Sequence, residues 1–130
     1  MDELKDKPTV PDEKRLLGML GLCRKSGKLI AGVPMICKYL SQTKKDAQDE
    51  LTVIEAFDTS YNTHKRLCDR CEFYKVNRIK IFSDCITLGH AVGKSAVAAV
   101  AVVGKDMCRA ISGIVSADTY SLYKSGKERS

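Results

Sequence analysis

The stretch from Leu88 to Val103, LGHAVGKSAVAAVAVV, decides the fold of this chain. Its second half, Val97 to Val103, is a continuous apolar run rich in valine, which predicts a strand covered on both faces. The run is too short to cross a bilayer, so we interpret it as the central strand of a sheet. The residues before it, Gly93 to Ala96, carry little bulk apart from Lys94, so another molecule can approach the backbone closely there.

Helical and strand-like segments alternate along the rest of the chain. Helices are predicted over Asp12–Lys25, Pro34–Leu40, from the N-cap Ser60 to about Tyr74, over a short segment capped by Ser83 or Asp84, and over Asp106–Val115. Strands are predicted over Lys28–Ala31, Leu51–Ala56, Arg78–Phe82 and Val97–Val103. This alternation predicts an α/β fold, a three-layer α/β/α sandwich with a mixed sheet of about four strands and mostly crossover connections.

The length of 130 residues suits one compact core. We expect a flexible N-terminal lead-in over residues 1–11, because it holds two prolines and little apolar surface. A single domain is expected over residues 12–116. Residues 117–130 are expected to form a frayed C-terminal tail.

The charge is positive and unevenly spread. Lys and Arg number 22 and Asp and Glu 16, a net charge of +6, and residues 1–13 have a balance of −3, so the remainder carries +9. A basic body of this size favours a polyanionic partner, most often nucleic acid, although a solvated lysine-rich surface explains the same charge.

Six cysteines raise the question of a disulfide framework. The polar, charged start of the chain does not resemble a signal peptide, and most of the cysteines fall on predicted helical core faces. We therefore expect free thiols in a reducing compartment, the cytoplasm. No apolar run reaches the length of a membrane span.

The sequence does not favour a P-loop, a zinc site or a catalytic centre. The run from Gly89 to Ser95 differs from a P-loop, because three residues instead of four separate its glycines and a strand follows. His64, Cys68 and Cys71 share a helical face, as zinc ligands would, but Cys71 also lies on the buried stripe, which favours a structural thiol. No nucleophile, base and oxyanion set can be named, so we predict no enzyme and no metal site.

A binding surface is what remains. The turn from Gly32 into the helix at Pro34, the loop Asp58–Ser60 and the loop Gly93–Ala96 are expected to meet at one end of the sheet. Amides at a helix start attract phosphate, and nearby lysines add positive charge. Ordinary turns with solvated lysines would look the same in sequence.

Three segments carry a family resemblance. They are the glycine-started helix Gly32–Lys38 (GVPMICK), the run Asn62–Lys65 (NTHK) and, most specific, Leu88–Gly93 (LGHAVG). Over Lys14 to Ser112 the chain resembles the L-seven-Ae and L-thirty-e ribosomal protein family, above all its small bacterial members. The resemblance implies the α/β/α sandwich already predicted and binding of kink-turn RNA, a helix bent sharply beside sheared G·A pairs.

The resemblance also implies roles for individual residues. Gly32 would be the close-approach glycine before the RNA-reading helix, Lys38 its phosphate-contacting lysine, and Lys94–Val97 the loop that covers a flipped-out or stacked nucleotide. Many kink-turn binders have Asn-Glu where this chain has Pro34 and Met35, and those side chains bond base edges. Proline and a thioether cannot do so, which leaves phosphate contact without that base readout.

We therefore predict a non-enzymatic, cytoplasmic protein that binds structured RNA, kink-turn-like or ribosomal, through phosphate contacts and a small-residue loop. The residues expected to bind RNA are Lys28, Gly32, Pro34, Met35, Lys38, Asp58, Lys94, Ser95, Ala96 and Val97. Structured RNA is the expected partner, with ribosomal proteins as further partners and no cofactor, small-molecule substrate or membrane. The alternative is a protein interaction module that kept the fold and lost specific kink-turn recognition.

Overall fold

The computed structural model of the chain describes residues 13–43 and 50–115. Its elements are α1 (Glu13–Lys25), β1 (Leu29–Ala31), α2 (Val33–Ser41), β2 (Leu51–Glu55), α3 (Tyr61–Phe73), β3 (Asn77–Lys80), α4 (Cys85–Ala91), β4 (Ala99–Val103) and α5 (Lys105–Val115). The predicted lead-in over residues 1–11 and tail over residues 117–130 lie outside the described residues. The predicted alternation of helices and strands is confirmed.

The four strands form one mixed sheet in the order β1-β4-β2-β3. Strand β4 lies between β1 and β2 and is antiparallel to both, whereas β2 and β3 are parallel. The interior position predicted for the valine-rich run is confirmed. Because β4 runs against β1 and β2, its first residue, Ala99, lies at the end of the sheet where those two strands finish.

Two predicted strands extend two residues beyond the observed ones, and two others extend one residue beyond them. Strand β4 begins at Ala99 and not at Val97, because the N–H of Val97 donates to the carbonyl of Cys85 on α4 (3.0 Å). Strand β3 ends at Lys80 and not at Phe82, because the N–H groups of Phe82 and Ser83 donate to the carboxylate of Glu13 at the start of α1. In both places a helix replaces the neighbouring strand as hydrogen-bond partner.

Helices cover both faces of the sheet, as a three-layer sandwich requires. On one face α1, α4 and α5 bury Leu16, Leu20, Leu88 and Ile111 against Ile54, Val100 and Val102. On the other face α2 and α3 bury Ile36, Leu40 and Leu67 against Leu51, Val53 and Ala101. The predicted α/β/α sandwich is confirmed. Within the described ranges no helix has the length and apolar character that a bilayer crossing demands.

The helix starts follow local chemistry. Ser60 caps α3 by accepting a hydrogen bond from the N–H of Thr63, and Asp84 caps α4 by accepting one from the N–H of Thr87. Such caps satisfy backbone donors that have no partner inside the helix. The predicted Ser60 cap and one of the two predicted caps for α4 are confirmed.

Candidate functional site

Three chain segments converge at the end of the sheet where β4 begins. The N–H of Gly32, directly after β1, donates to the carbonyl of Ala99 (2.8 Å), and the N–H of Ala56, directly after β2, donates to the carbonyl of Ala98 (2.8 Å). The turn after β1, the loop after β2 and the loop before β4 therefore meet, as the sequence predicted.

A pocket of about 360 Å³ opens at this convergence. Its lining residues are Gly32, Val33, Pro34, Thr63, Arg66, Ala96, Val97 and Ala98. They come from the start of α2, from one face of α3 and from the loop before β4. The lining is mainly apolar, and Arg66 adds a guanidinium group and Thr63 a hydroxyl group. Pockets with this composition bind small organic groups that have apolar faces and a few polar edges.

The start of α2 forms the first wall of the pocket. Gly32 has a φ of 97°, in a region that favours glycine, which lets the chain turn from β1 directly into the helix. Pro34 lies in the first helical turn and has no N–H, so this helix start offers fewer free amides to an anion than one without proline. Met35 follows with 54% of its surface exposed.

Helix α3 forms the second wall, with Thr63 and Arg66, and a buried ionic cluster holds it in place. Glu55, at the end of β2, is fully buried. One carboxylate oxygen accepts a hydrogen bond from Nη1 of Arg78 on β3 (2.6 Å), and the other lies 2.6 Å from Nδ1 of His64 on α3. His64 directly follows Thr63, so this cluster fixes the second wall against the sheet.

The third wall is Ala96 and Val97, held by close contact with α4. A Cβ added to Gly89 would lie 2.6 Å from Cα of Ala96, so the loop backbone occupies the space that any larger residue would fill. The N–H of Lys94 donates to the carbonyl of Gly89 (2.8 Å) and that of Val97 to the carbonyl of Cys85 (3.0 Å). The loop is thus bonded along α4 before it reaches the pocket.

The structure brings together four of the residues predicted for the interface: Gly32, Pro34, Ala96 and Val97. Lys38 is exposed on α2, about one turn beyond Pro34, on the same helix as exposed Met35. These two side chains lie next to the pocket without lining it.

The other four predicted residues do not line the pocket either. Lys94 and Ser95 are exposed in the part of the loop that runs along α4. Lys28 precedes β1, and its carbonyl accepts from the N–H of Val103 at the opposite end of β4, about 13 Å from Ala99. Lys28 therefore does not join Gly32 at the pocket, because one strand length separates the two ends of β1 and β4.

Asp58 joins the loop after β2 to α4. Its Oδ1 accepts a hydrogen bond from the N–H of Cys85 (2.9 Å). Hydrogen bonds from the thiol and the amide of Cys85 lower the pKa of Asp58, so the carboxylate is ionised at neutral pH. Burial, with the contribution of Asp58, raises the pKa of the Cys85 thiol to about 11. The hydrogen bond between Asp58 and the N–H of Cys85 ties the loop after β2 to the start of α4.

Four pocket residues were not predicted. Val33 and Ala98 adjoin predicted positions, whereas Thr63 and Arg66 come from α3, which the sequence did not place at the pocket. Arg66 is exposed, and its position opposite α2 was not foreseen. The signal was present in the spacing, because Thr63 and Arg66 lie three apart and so share one helix face beside the buried Leu67. The sequence does not show that α2 and α3 cover the same face of the sheet, which is what places this helix face opposite α2.

The alternative built on His64, Cys68 and Cys71 has a different geometry from a metal centre. Burial raises the pKa of the Cys71 thiol to about 12, which disfavours the thiolate that a metal or a redox reaction requires. Nδ1 of His64 faces Glu55, and its Nε2 lies 3.4 Å from Sγ of Cys68. Across residues 13–43 and 50–115, no three potential ligands are grouped as a metal site would need.

Known proteins provide three likenesses. The RNA-binding protein YlxQ of Bacillus subtilis (strain 168) is 33% identical over 84 residues, which cover 65% of this chain and 78% of YlxQ. A solved Bacillus halodurans protein of unknown function has a TM-score of 0.65 and 24% identity, covering 76% of this chain and 94% of its own. The Giardia lamblia 15.5kD RNA binding protein has a TM-score of 0.62 and 21% identity, covering 85% and 93%. No protein-family model matches the chain.

Proposed function

The chain belongs to the L-seven-Ae / L-thirty-e ribosomal protein family, and we propose that it binds structured RNA and holds one unpaired nucleotide in the pocket between α2 and α3. The proposed role is non-enzymatic and cytoplasmic. The observation that carries it is the meeting of the Gly32 turn, the small-residue loop and Arg66 around one pocket. The relative YlxQ, which bears the name RNA-binding protein, supports the choice of RNA.

The chemistry of the pocket suits a nucleobase. A base has two apolar faces and a rim of hydrogen-bonding atoms, and RNA-binding proteins select unpaired bases by stacking and by edge contacts. The ring of Pro34 and the side chain of Val97 offer apolar surface, and Arg66 offers several donors on one planar group. A volume of about 360 Å³ lies within the range of about 300–1,000 Å³ found for small-molecule pockets.

Phosphate contacts would supply most of the affinity. Lys38 beside the pocket and Lys94 on the loop are both exposed, and the whole chain has a net charge of +6. Neutralised phosphates release counterions, so binding should weaken steeply as salt increases. We infer that the RNA ligand is kink-turn-like, ribosomal or otherwise, because the bend of such an RNA presents an unpaired nucleotide beside closely spaced phosphates.

Pro34 and Met35 make recognition of the bend depend on shape more than on base edges. Neither side chain donates a hydrogen bond, so the base readout that an Asn-Glu pair provides at these positions is missing. Arg66 is the side chain in the pocket with the strongest capacity to replace it. The proposal therefore assigns to α3 part of the recognition that α2 performs in many kink-turn binders.

Fluorescence anisotropy with two RNAs tests this function. One RNA contains a kink-turn, and the other has the same length with the bulge paired. We expect saturable binding with preference for the kinked RNA, and a Kd about tenfold higher for Arg66→Gln. Lys65→Gln is the matched control, because Lys65 is the exposed neighbour of Arg66 on α3 and pairs with Asp69 (3.4 Å).

Two results would count against the proposal. Absence of saturable binding to either RNA at low salt would leave the fold with the other function considered, a protein interaction module, to which exposed Met35 would contribute an apolar contact. Equal effects of Arg66→Gln and Lys65→Gln would show that only the total charge matters and that the pocket does not hold the nucleotide.

A further inference from the structure

Arg24, at the end of α1, lies directly against the loop before β4. A Cβ added to Gly93 would lie 2.8 Å from Cζ of Arg24 and 3.0 Å from its Nε and Nη2. Gly93 also has a φ of 78°, in the region that favours glycine. The glycine thus serves two purposes, because it allows the turn after α4 and leaves room for a guanidinium group on the loop backbone.

Arg24 and the next residue of the loop, Lys94, are two basic residues on adjoining segments, and neither has a carboxylate partner among the described residues. Arg24 and Lys94 are both exposed, and Lys94 directly follows the glycine against which Arg24 packs. None of the ion pairs formed among the described residues includes Arg24 or Lys94. Two exposed basic residues on adjoining segments raise the local positive potential, which favours an anionic ligand.

The surface formed by Arg24 and Lys94 is connected to the pocket by the loop itself. Only three residue steps separate Lys94 from Val97, a distance of about 10 Å in an extended chain. The pocket lies on the α2 and α3 side of the sheet, and Arg24 belongs to the layer of α1, α4 and α5. An RNA backbone that runs from the pocket across this loop therefore passes close to Arg24.

We propose that Arg24 and Lys94 form a second phosphate-binding surface, which holds the RNA backbone next to the nucleotide in the pocket and extends the RNA contact onto α1. This inference rests on the proposed function, which already gives Lys94 a phosphate contact, and adds Arg24 on α1, which the family resemblance did not assign. Arginine suits the role because its planar donors can bind two phosphate oxygens at once.

RNA fits this surface better than a protein does. The exposed apolar residue nearest in sequence is Leu22. It lies two positions before Arg24 and therefore projects from another face of α1. A protein interface normally has an apolar centre, and the Arg24 and Lys94 pair offers charge without one. The partner chemistry it matches is a phosphodiester backbone.

The test measures the salt dependence of binding for the full chain and kink-turn RNA with extended stems. Arg24→Gln should raise the Kd about threefold to tenfold at low salt and reduce the slope of log K against log salt by about one, as loss of one phosphate contact does. Arg24→Lys should keep the slope, because the charge remains. Lys14→Gln is the control, since exposed Lys14 lies on the same helix about 15 Å away.

The outcomes separate this inference from the proposed function. If Arg24→Gln and Lys14→Gln leave the slope equally unchanged while Arg66→Gln weakens binding, the second surface is wrong and the pocket stands. If the wild-type chain binds no RNA, the proposed function itself fails. Thermal unfolding of each variant establishes that it folds. Should Arg24→Gln not fold, Arg24→Met, which keeps an apolar stem without the charge, gives the same slope comparison.

Discussion

Two walls of the same pocket are held in place by different physical means. The α3 wall, Thr63 and Arg66, is fixed by a polar contact, because Nδ1 of His64 beside it lies 2.6 Å from the carboxylate of the fully buried Glu55. The loop wall, Ala96 and Val97, is fixed by the lack of a side chain, because Gly89 lets the loop backbone lie against α4. The α3 wall depends on side chains from β2, α3 and β3, whereas the loop wall depends on the absence of a side chain at Gly89.

The difference sets how each wall responds to change. When either side of a buried ion pair is removed, the other side remains as an unpaired charge in the interior. This lowers the stability of the folded chain. A glycine contact can be lost only by adding atoms, which forces the loop to move. We expect the α3 wall to govern stability and the loop wall to govern the shape of the pocket.

The largest effect is expected from Glu55→Gln. The substitution keeps the size of the side chain and removes the charge that faces Arg78 and Lys80, whose side chains are 7% and 20% exposed. Breaking a buried ion pair from one side typically costs about 3–5 kcal/mol. Urea unfolding measures the loss. The control is Asp69→Asn, which breaks the exposed Lys65–Asp69 pair and should cost less than about 1 kcal/mol. Equal losses for the two variants would contradict the role given to Glu55.

The next effect is expected from Gly89→Ala. Its new methyl group would lie 2.6 to 2.9 Å from three backbone atoms of Ala96, so the loop must shift, at a cost of about 1–3 kcal/mol. The Kd for kink-turn RNA should increase as well, because Ala96 and Val97 line the pocket.

The control for this glycine has the opposite sign. Gly18, on α1, has no atom within 4 Å of an added Cβ, so Gly18→Ala should stabilise the chain by about 0.5–1 kcal/mol through helix propensity. Unfolding midpoints for the two alanine variants show the contrast directly. If both variants gain stability, the contact between Gly89 and the backbone of Ala96 is not close enough to exclude a methyl group.

The same contrast explains what the sequence could and could not predict. The loop wall lies within Leu88–Val103, where glycines, small residues and a valine run stand together, so local pattern was enough to place it. The ionic cluster joins Glu55, His64 and Arg78 from three different elements. Each is an ordinary charged or polar residue in its own segment. The pairing of β2 with β3 brings Glu55 and Arg78 together, and the packing of α3 on the sheet adds His64.

Strand order was the other missing information. The sequence predicted an interior β4 and a meeting of three loops, both of which depend on apolar patterning and on how strands finish. It counted Lys28 with that meeting as well, although Lys28 precedes β1 and Gly32 follows it, so the length of the strand separates the two residues. Arg66 was missed because the sequence does not say that α2 and α3 cover the same face of the sheet.

The smallest effect concerns the support of the loop wall by α4 and appears only in acid. The N–H of Thr87 hydrogen-bonds the carboxylate of Asp84 and holds its pKa below the ordinary value, so folding favours the ionised form. This contribution is complete above the unfolded pKa, about 3.9, and is lost as the pH falls through the lower folded pKa. Asp84→Asn keeps a cap but cannot titrate.

Asp84→Asn should therefore resemble the wild-type chain near neutral pH and lose less stability below about pH 4. Asp58 has a lowered pKa for a similar reason, the hydrogen bonds from Cys85, so a part of the acid response should persist in the single variant and diminish further in Asp58→Asn/Asp84→Asn. Urea midpoints across the acid range measure the slopes. Parallel curves for the wild-type chain and Asp84→Asn would mean that the cap contributes equally in both protonation states, and that α4 supports the loop wall through Gly89 alone.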